Sequence, residues 1–376
     1  MKPELIKRRI TVCTFLALLQ LGSAFSQQSS RAAVPPQVEI LGTQFLKIIS
    51  AASSQEYHLY VNLPRGYQDT TKTFPVIFLL DAQWDFPLAQ AIFGEQYYDG
   101  FVPAAIMVGI TWGGVNPNYD SLRMRDLTPT NIKQIPHSGN GPKFLSFLKQ
   151  ELIPFIESRY RTARNERTLM GSSLGGLFTL YALFHETGLF NRYVLTSPSL
   201  QWDNGITYAY EKSYAEKHSN LPVRLFIGVG ELEGGGVTQC QKFFTQLRER
   251  NYQGLKLSTK VIEGSGHSGG KAEGYSRGLQ AVFARPSVSL ASVVLDQYVG
   301  KYQIAPGVLF DLVKEDGKLV AIVPGGMKFV LNAENENDFY IRGGYLFIRF
   351  RKNGSGKVTG FEMEQFDGKQ LVKRID

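Results

Sequence analysis

Thr168-Leu169-Met170 reads as a short apolar strand, Leu174 to His185 repeats apolar residues at helical spacing, and only Gly171-Ser172-Ser173 separates the two. A strand that turns this abruptly into a helix must lay that helix back across its own sheet, which commits the chain to a layered α/β architecture. The turn has the pattern G-x-S-x-G over Gly171 to Gly175. Small residues on either side permit a strained strand-to-helix turn that lifts the Ser173 hydroxyl above the sheet, with a helix N-terminus beneath it. In a chain with 38 glycines the bare letters are cheap, and the strand-turn-helix setting is what makes them informative.

The flanking sequence agrees with that architecture. Tyr57 to Val61 alternates as an early antiparallel strand does, whereas Phe74 to Leu80 and Ala104 to Ile110 are continuously apolar, as strands covered on both faces are. Further strands are expected at Arg167 to Met170, Arg192 to Thr196, Val223 to Val229 and Leu255 to Ile262. Helical spacing is seen from Phe144 to Ile156, in Leu174 to His185, in Cys240 to Arg250 and from Lys271 to Phe283. The expected fold is a doubly wound, mostly parallel sheet over residues 34–286. After Pro286 the texture changes to short alternating strands punctuated by Asp316-Gly317, Gly343-Gly344, Asn353-Gly354 and Asp367-Gly368, which supply the positive φ of tight hairpins. Residues 291–376 are therefore expected to form a small antiparallel β module, contributing either a wall of a cleft or a site for a polymer or partner.

Composition narrows the chemistry. With 43% apolar and 20% charged residues the chain can bury a large core. Lys2, Lys7, Arg8 and Arg9, the apolar run Ile10 to Leu21 and the small residues of Ala24-Phe25-Ser26 read as a signal peptide over 1–26, with cleavage near Gln27 and an exported mature protein, periplasmic or secreted. That run is short of the ~20 residues that span a bilayer, and no later segment could cross one. Of two cysteines, Cys13 falls in the leader, leaving Cys240 alone and no internal disulfide or Cys-based zinc site. The leader carries four basic residues and one acid, so the formal charge falls from +8 to +5. Arg159, Arg161, Arg164 and Arg167 have Glu157 and Glu166 beside them and no interleaved aromatic platform, so no nucleic-acid partner is expected. No phosphate loop, helical metal motif or other cofactor signature is present, and no cofactor is expected.

A serine hydroxyl needs a base, and the base an orienting acid. Two later strands are followed by suitable groups: Gly230-Glu231-Leu232-Glu233-Gly234 after one, and Glu263-Gly264-Ser265-Gly266-His267 after the next. This gives the order Ser, acid, His at the carboxyl ends of parallel strands, where such sheets place their sites. His58 lies in a strand pattern, His137 in a loop, His185 at a helix end and His218 in a polar helix, leaving His267 as the base. In sites of this kind the acid commonly comes three residues after the glycine that ends its strand, which favours Glu233 over Glu231; a site lacking the third member is the remaining reading. An oxyanion hole needs two backbone donors; Leu174 supplies one, and the loop Asp81-Ala82-Gln83-Trp84 should supply the other.

Val76 to Trp84, Arg125-Asp126-Leu127-Thr128-Pro129, and the run from Phe144 through Gly176 to Ser197-Pro198-Ser199-Leu200-Gln201-Trp202 resemble the putative-esterase family of α/β-hydrolases. That family includes enterobactin-type siderophore esterases, S-formylglutathione hydrolase and mycolyltransferases. The resemblance spans residues 40–285. It implies Ser173 as nucleophile, His267 as base, Glu233 as acid and Gln83 as second oxyanion donor, in a serine esterase acting on a small-molecule or saccharide ester, a siderophore lactone among them. Tyr298-Val299-Gly300-Lys301-Tyr302 resembles a small β domain appended to exported bacterial serine hydrolases. Asp81, Trp84 and Trp202 are expected to shape the pocket, with Trp112 beside them, and an Arg125–Asp126 ion pair to pin the loop from Trp112 to Gly141 as a lid. Two other readings stand: acyl transfer to an alcohol other than water, and a binding protein whose β module carries the function.

Overall fold

The computed structural model describes residues 39–376. The leader, with Cys13 and the expected cleavage site, lies outside the described residues, as do residues 34–38 of the expected hydrolase unit. Eight strands form the central sheet: β1 (Thr43–Ile49), β2 (Glu56–Asn62), β3 (Phe74–Leu79), β4 (Ile106–Trp112), β5 (Thr162–Ser172), β6 (Arg192–Thr196), β7 (Arg224–Gly230) and β8 (Lys256–Ile262). They lie in the order β1-β2-β4-β3-β5-β6-β7-β8. β1 pairs antiparallel with β2 and β2 with β4, and every other pair is parallel. β4 is buried along its whole length, as its unbroken apolar run requires.

Helices α1 (Ala82–Tyr98), α2 (Tyr119–Asp126), α3 (Gly141–Phe147), α4 (Ile153–Arg159), α5 (Leu174–His185), α6 (Ile206–Ala215), α7 (Gly235–Glu249) and α8 (Lys271–Val282) connect these strands. The helical spacing from Phe144 to Ile156 is realised as α3 and α4 joined through a π-turn at Leu148–Leu152. Pro154, at the start of α4, offers no N–H to the preceding turn, and the widened π-turn accommodates that loss. Two expectations change. His218 lies beyond the end of α6 rather than in a helix, and the helix expected from Cys240 begins five residues earlier, at Gly235. Arg125 and Asp126 do pair, at 2.7 Å. Asp126 also accepts from Tyr57 Oη at 2.8 Å and Trp112 Nε1 at 2.7 Å, so this buried carboxylate fastens α2 to the sheet.

A second sheet follows α9 (Ser292–Asp296). Strands β9 (Gly300–Ala305), β10 (Val308–Glu315), β11 (Lys318–Ile322), β12 (Lys328–Ala333), β13 (Asp338–Ile341), β14 (Leu346–Lys352), β15 (Val358–Gln365) and β16 (Gly368–Arg374) pair antiparallel in sequence. β16 returns to β9, closing a barrel. Asp316 and Gly317, both at positive φ, make one of its hairpins. The barrel has its own core around Tyr298, Tyr302, Phe339, Phe350 and Phe361. It meets the α/β portion near the C-terminal end of α1, where Tyr97 packs against Tyr345 and Phe366 at 5.2 and 5.6 Å, and through Arg285, which pairs with Glu334 at 2.7 Å and lies over Phe347.

Candidate active site

β5 ends at Ser172, α5 begins at Leu174, and Ser173 between them holds φ 59° and ψ −118°. An L-residue adopts that conformation only where its surroundings enforce it. Here Ser173 N–H donates to Thr196 O at 3.0 Å and Ser173 O accepts from Ser199 N–H at 3.1 Å, so β6 and the chain after it clamp the turn. Gly171 is required sterically: a Cβ there would come within 2.8 Å of the Gly175 backbone. Ser173 Oγ lies 3.5 Å from Ser199 Oγ, and among the described residues no hydrogen bond joins it to His267. Hydrogen bonds of this kind commonly tighten only when substrate is bound.

Glu233 and His267 stand just past the ends of adjacent strands. β7 runs directly into a single 3-10 turn, Glu231–Glu233, and β8 into the loop that holds His267. The two loops touch, since Leu232 N–H donates to Ser265 O at 2.9 Å, and a Cβ on Gly230 would meet the same oxygen at 2.4 Å, so only glycine fits that crossing. Glu233 Oε2 lies 2.7 Å from His267 Nδ1. A carboxylate can only accept, so Nδ1 carries the proton of this bond, and Nε2 has no partner among the described residues. Glu233 Oε1 accepts from Ser197 Oγ at 2.6 Å and Gly230 N–H at 2.7 Å. Burial pushes the Glu233 carboxyl up, but the bonds from Ser197, His267 and Gly230 outweigh it and hold the group below the usual glutamate range. Glu231 instead accepts from Gly264 N–H at 2.8 Å, staking the acid loop to the histidine loop.

Leu174 and Gln83 each sit in the first turn of a helix, α5 and α1, where backbone N–H groups have no partner within the helix. Neither N–H meets a protein acceptor among the described residues. Asp81 caps α1 at φ 53°, and its buried carboxylate takes two bonds from Arg123, at 3.0 and 2.8 Å. Burial raises the Asp81 carboxyl, and Arg123 opposes that rise. The Gln83 side chain accepts from Thr111 Oγ1 at 2.7 Å while its Nε2, also buried, has no partner.

A cavity of about 490 Å³ opens beside His267, lined by Ser197, Ser199, Gln201, Leu232, Glu233, Gln239 and Cys240 among others. Asp81, Trp84 and Trp202 are not part of that lining. Trp84 is 48% exposed, with Tyr119 against its edge and Arg123 over its ring. Trp202 is buried and donates to Thr130 Oγ1 at 3.0 Å. Trp112 closes β4 rather than following it and is buried against Asp126, so it shapes no cleft. Ser197, Arg123, and the Lys271–Asp85 pair were given no role by sequence reasoning; of these only Ser197 carried a signal, as the first residue past the end of β6.

The model of the family described as Putative esterase matches residues 50–269. Ferri-bacillibactin esterase BesA of Bacillus subtilis is 29% identical over 247 residues, covering 61% of this chain and 85% of that one. The siderophore triacetylfusarinine C esterase of Aspergillus fumigatus is 27% identical over 168 residues, covering 43% of this chain and 58% of the relative. Among solved structures, the BES protein from Bacillus cereus aligns with a TM-score of 0.60 and 26% identity, over 66% of this chain and 98% of that one. The family match spans more than half the chain and takes in the elbow, the acid loop and His267, so this protein is a carboxylic-ester hydrolase belonging to the Putative esterase family.

Proposed function

We propose that the protein is an exported serine esterase that opens ester bonds of a siderophore trilactone through an acyl-enzyme on Ser173. The observation that carries this reading is the His267–Glu233 hydrogen bond at 2.7 Å, held past adjacent strand ends at the same edge of the sheet as the strained Ser173. In the mechanism, His267 Nε2 takes the Ser173 proton as Oγ attacks the ester carbonyl. Glu233 holds the imidazole in the required tautomer and stabilises the imidazolium. The Leu174 and Gln83 N–H groups receive the developing oxyanion at two helix N-termini. His267 then returns its proton to the leaving alkoxide and activates a water that releases the acid. The siderophore assignment is supported by relatives named for that activity, the bacillibactin and triacetylfusarinine C esterases. Export is supported by the basic, apolar and small-residue order of residues 1–26.

A ferric triscatecholate trilactone should be converted to linear fragments by the wild-type chain and left intact by Ser173→Ala, as read by mass spectrometry. Hydrolysis of p-nitrophenyl acetate with no attack on the trilactone would retain the esterase and discard the substrate. N-terminal sequencing of the protein recovered outside the cytoplasm should begin near Gln27; recovery of the intact chain from the cytoplasm would discard export.

A further inference from the structure

The barrel is filled at one end only. Where α9 enters, Tyr298 is wholly buried, stacks on Phe350 at 4.2 Å and donates to Glu336 O at 2.7 Å, with Phe339 packed against its edge. At the opposite end, where the hairpins after β9, β11, β13 and β15 gather, the inward-facing residues enclose a cavity of about 290 Å³. The same strands line both halves in two-residue steps: Leu312 to Phe310 to Val308 along β10, and Phe350 to Ile348 to Leu346 along β14. Thirteen of the fourteen lining residues are apolar, and the exception is Gln365. Val308 and Met327, 40% and 60% exposed, extend the apolar surface toward solvent at this end.

This cup is poorly suited to water. A buried water needs two to four polar partners, and the lining offers one polar side chain. Left empty, it would forfeit the dispersion contacts that a packed interior provides. Eight-stranded barrels have an interior wide enough for one small ligand. The volume is roughly twice the ~150 Å³ apolar cavity that takes benzene, which corresponds to an aliphatic chain of about eight to ten carbons. The cup is also separate from the catalytic cleft. Its β13–β14 and β15–β16 hairpins contact Tyr97 and Tyr98, at the far end of α1 from Gln83 and about 20 Å away along the helix.

We propose that the C-terminal barrel binds one medium-length aliphatic acyl or alkyl chain, its tail in the cup and its polar head at the mouth beside Gln365. Calorimetric titration of the full-length protein with linear alcohols should give one site per chain. Affinity should rise about fourfold per added methylene and flatten near eight to ten carbons, where the cup is full. Ala321→Phe, which places a ring in the cup, should lower 1-nonanol affinity at least tenfold; Ala321→Leu should act less strongly. Both should leave kcat/KM for p-nitrophenyl acetate unchanged. Independently of any variant, a diazirine-bearing decanol should crosslink to peptides from β10 to β15. No saturable binding up to the solubility limit of the alcohols, affinity indifferent to chain length, undiminished binding in a folded Ala321→Phe, or crosslinks confined to residues 43–282 would each overturn the proposal.

Discussion

Lys271, the first residue of α8, places Nζ 2.8 Å from Oδ1 of Asp85 in the first turn of α1, and Tyr275 one turn further on donates to Oδ2 at 2.6 Å. α8 follows the His267 loop and α1 begins beside Gln83, so one buried carboxylate ties the base-bearing loop to the oxyanion helix. Lys271→Met should strand Asp85, which is only 2% exposed, without its cation. The expected loss is about 3 kcal/mol by urea unfolding, the range for breaking a buried pair from one side. Loss of less than about 0.5 kcal/mol would make the pair a surface contact in energetic terms.

Ser173→Ala should abolish labelling by a fluorophosphonate probe and bring kcat for p-nitrophenyl acetate below about one-thousandth of wild type, with His267→Ala falling to a similar level because the two act as one unit. A Ser173→Ala protein with kcat above that level would place the nucleophile elsewhere.

Glu233→Gln should lower kcat by about 10³- to 10⁴-fold, because an amide does not hold the imidazole tautomer or its charge as a carboxylate does. Glu231→Gln should change kcat only a few-fold, since Glu231 bonds Gly264 rather than His267. Ser197→Ala should lie between them, with Glu233 Oε1 losing one of its two donors. Equal effects at Glu231 and Glu233 would reassign the acid.

The depressed pKa of Glu233 also fixes a pH dependence of stability. A carboxyl whose folded value lies below its unfolded value contributes stability above the unfolded value, about pH 4.3, and loses it as pH falls through the folded one. The Tm difference between wild type and Glu233→Gln should therefore shift in favour of the variant as pH falls below about 5. A difference that stayed constant down to pH 3 would contradict it.

Cys240 should be chemically silent in the native protein. Burial and the nearby Glu233 charge push its thiol up to about 12, against an ordinary value of about 8.5. Alkylation proceeds through the thiolate, so iodoacetamide at pH 8 should modify Cys240 at least about 10³-fold more slowly than in urea-unfolded chain, and the native rate should climb steadily above pH 9.

How much of this was legible in the sequence depended on range. The central strands could be read because a strand covered on both faces needs an unbroken apolar run, and the elbow because its steric demands fall on residues four apart. β1 escaped because it is an edge strand, partly exposed along its length. The hairpin positions of the C-terminal region were marked by their Gly-containing pairs, although the β14–β15 turn takes its positive φ at Gly356 and not at Asn353-Gly354; closure of the barrel was not marked, since β9 meets β16 through a register that no local pattern encodes. Likewise Asp85 and Lys271 are 186 residues apart, and the bond from the Trp112 indole to Asp126 joins a strand end to a helix that no local pattern links.

The return of β16 onto β9 sets a schedule for biosynthesis. Each earlier strand of the barrel finds its partner within a hairpin's length of chain, but β9 must wait with one edge bare until β16 emerges. During that interval the nascent module offers two unpaired rims, β9 and the most recently made strand, to any neighbouring polypeptide. A frameshift or nonsense change within residues 368–374 would make that transient state permanent, converting a self-sealed cylinder into a template for intermolecular strand addition while sparing every residue of the elbow.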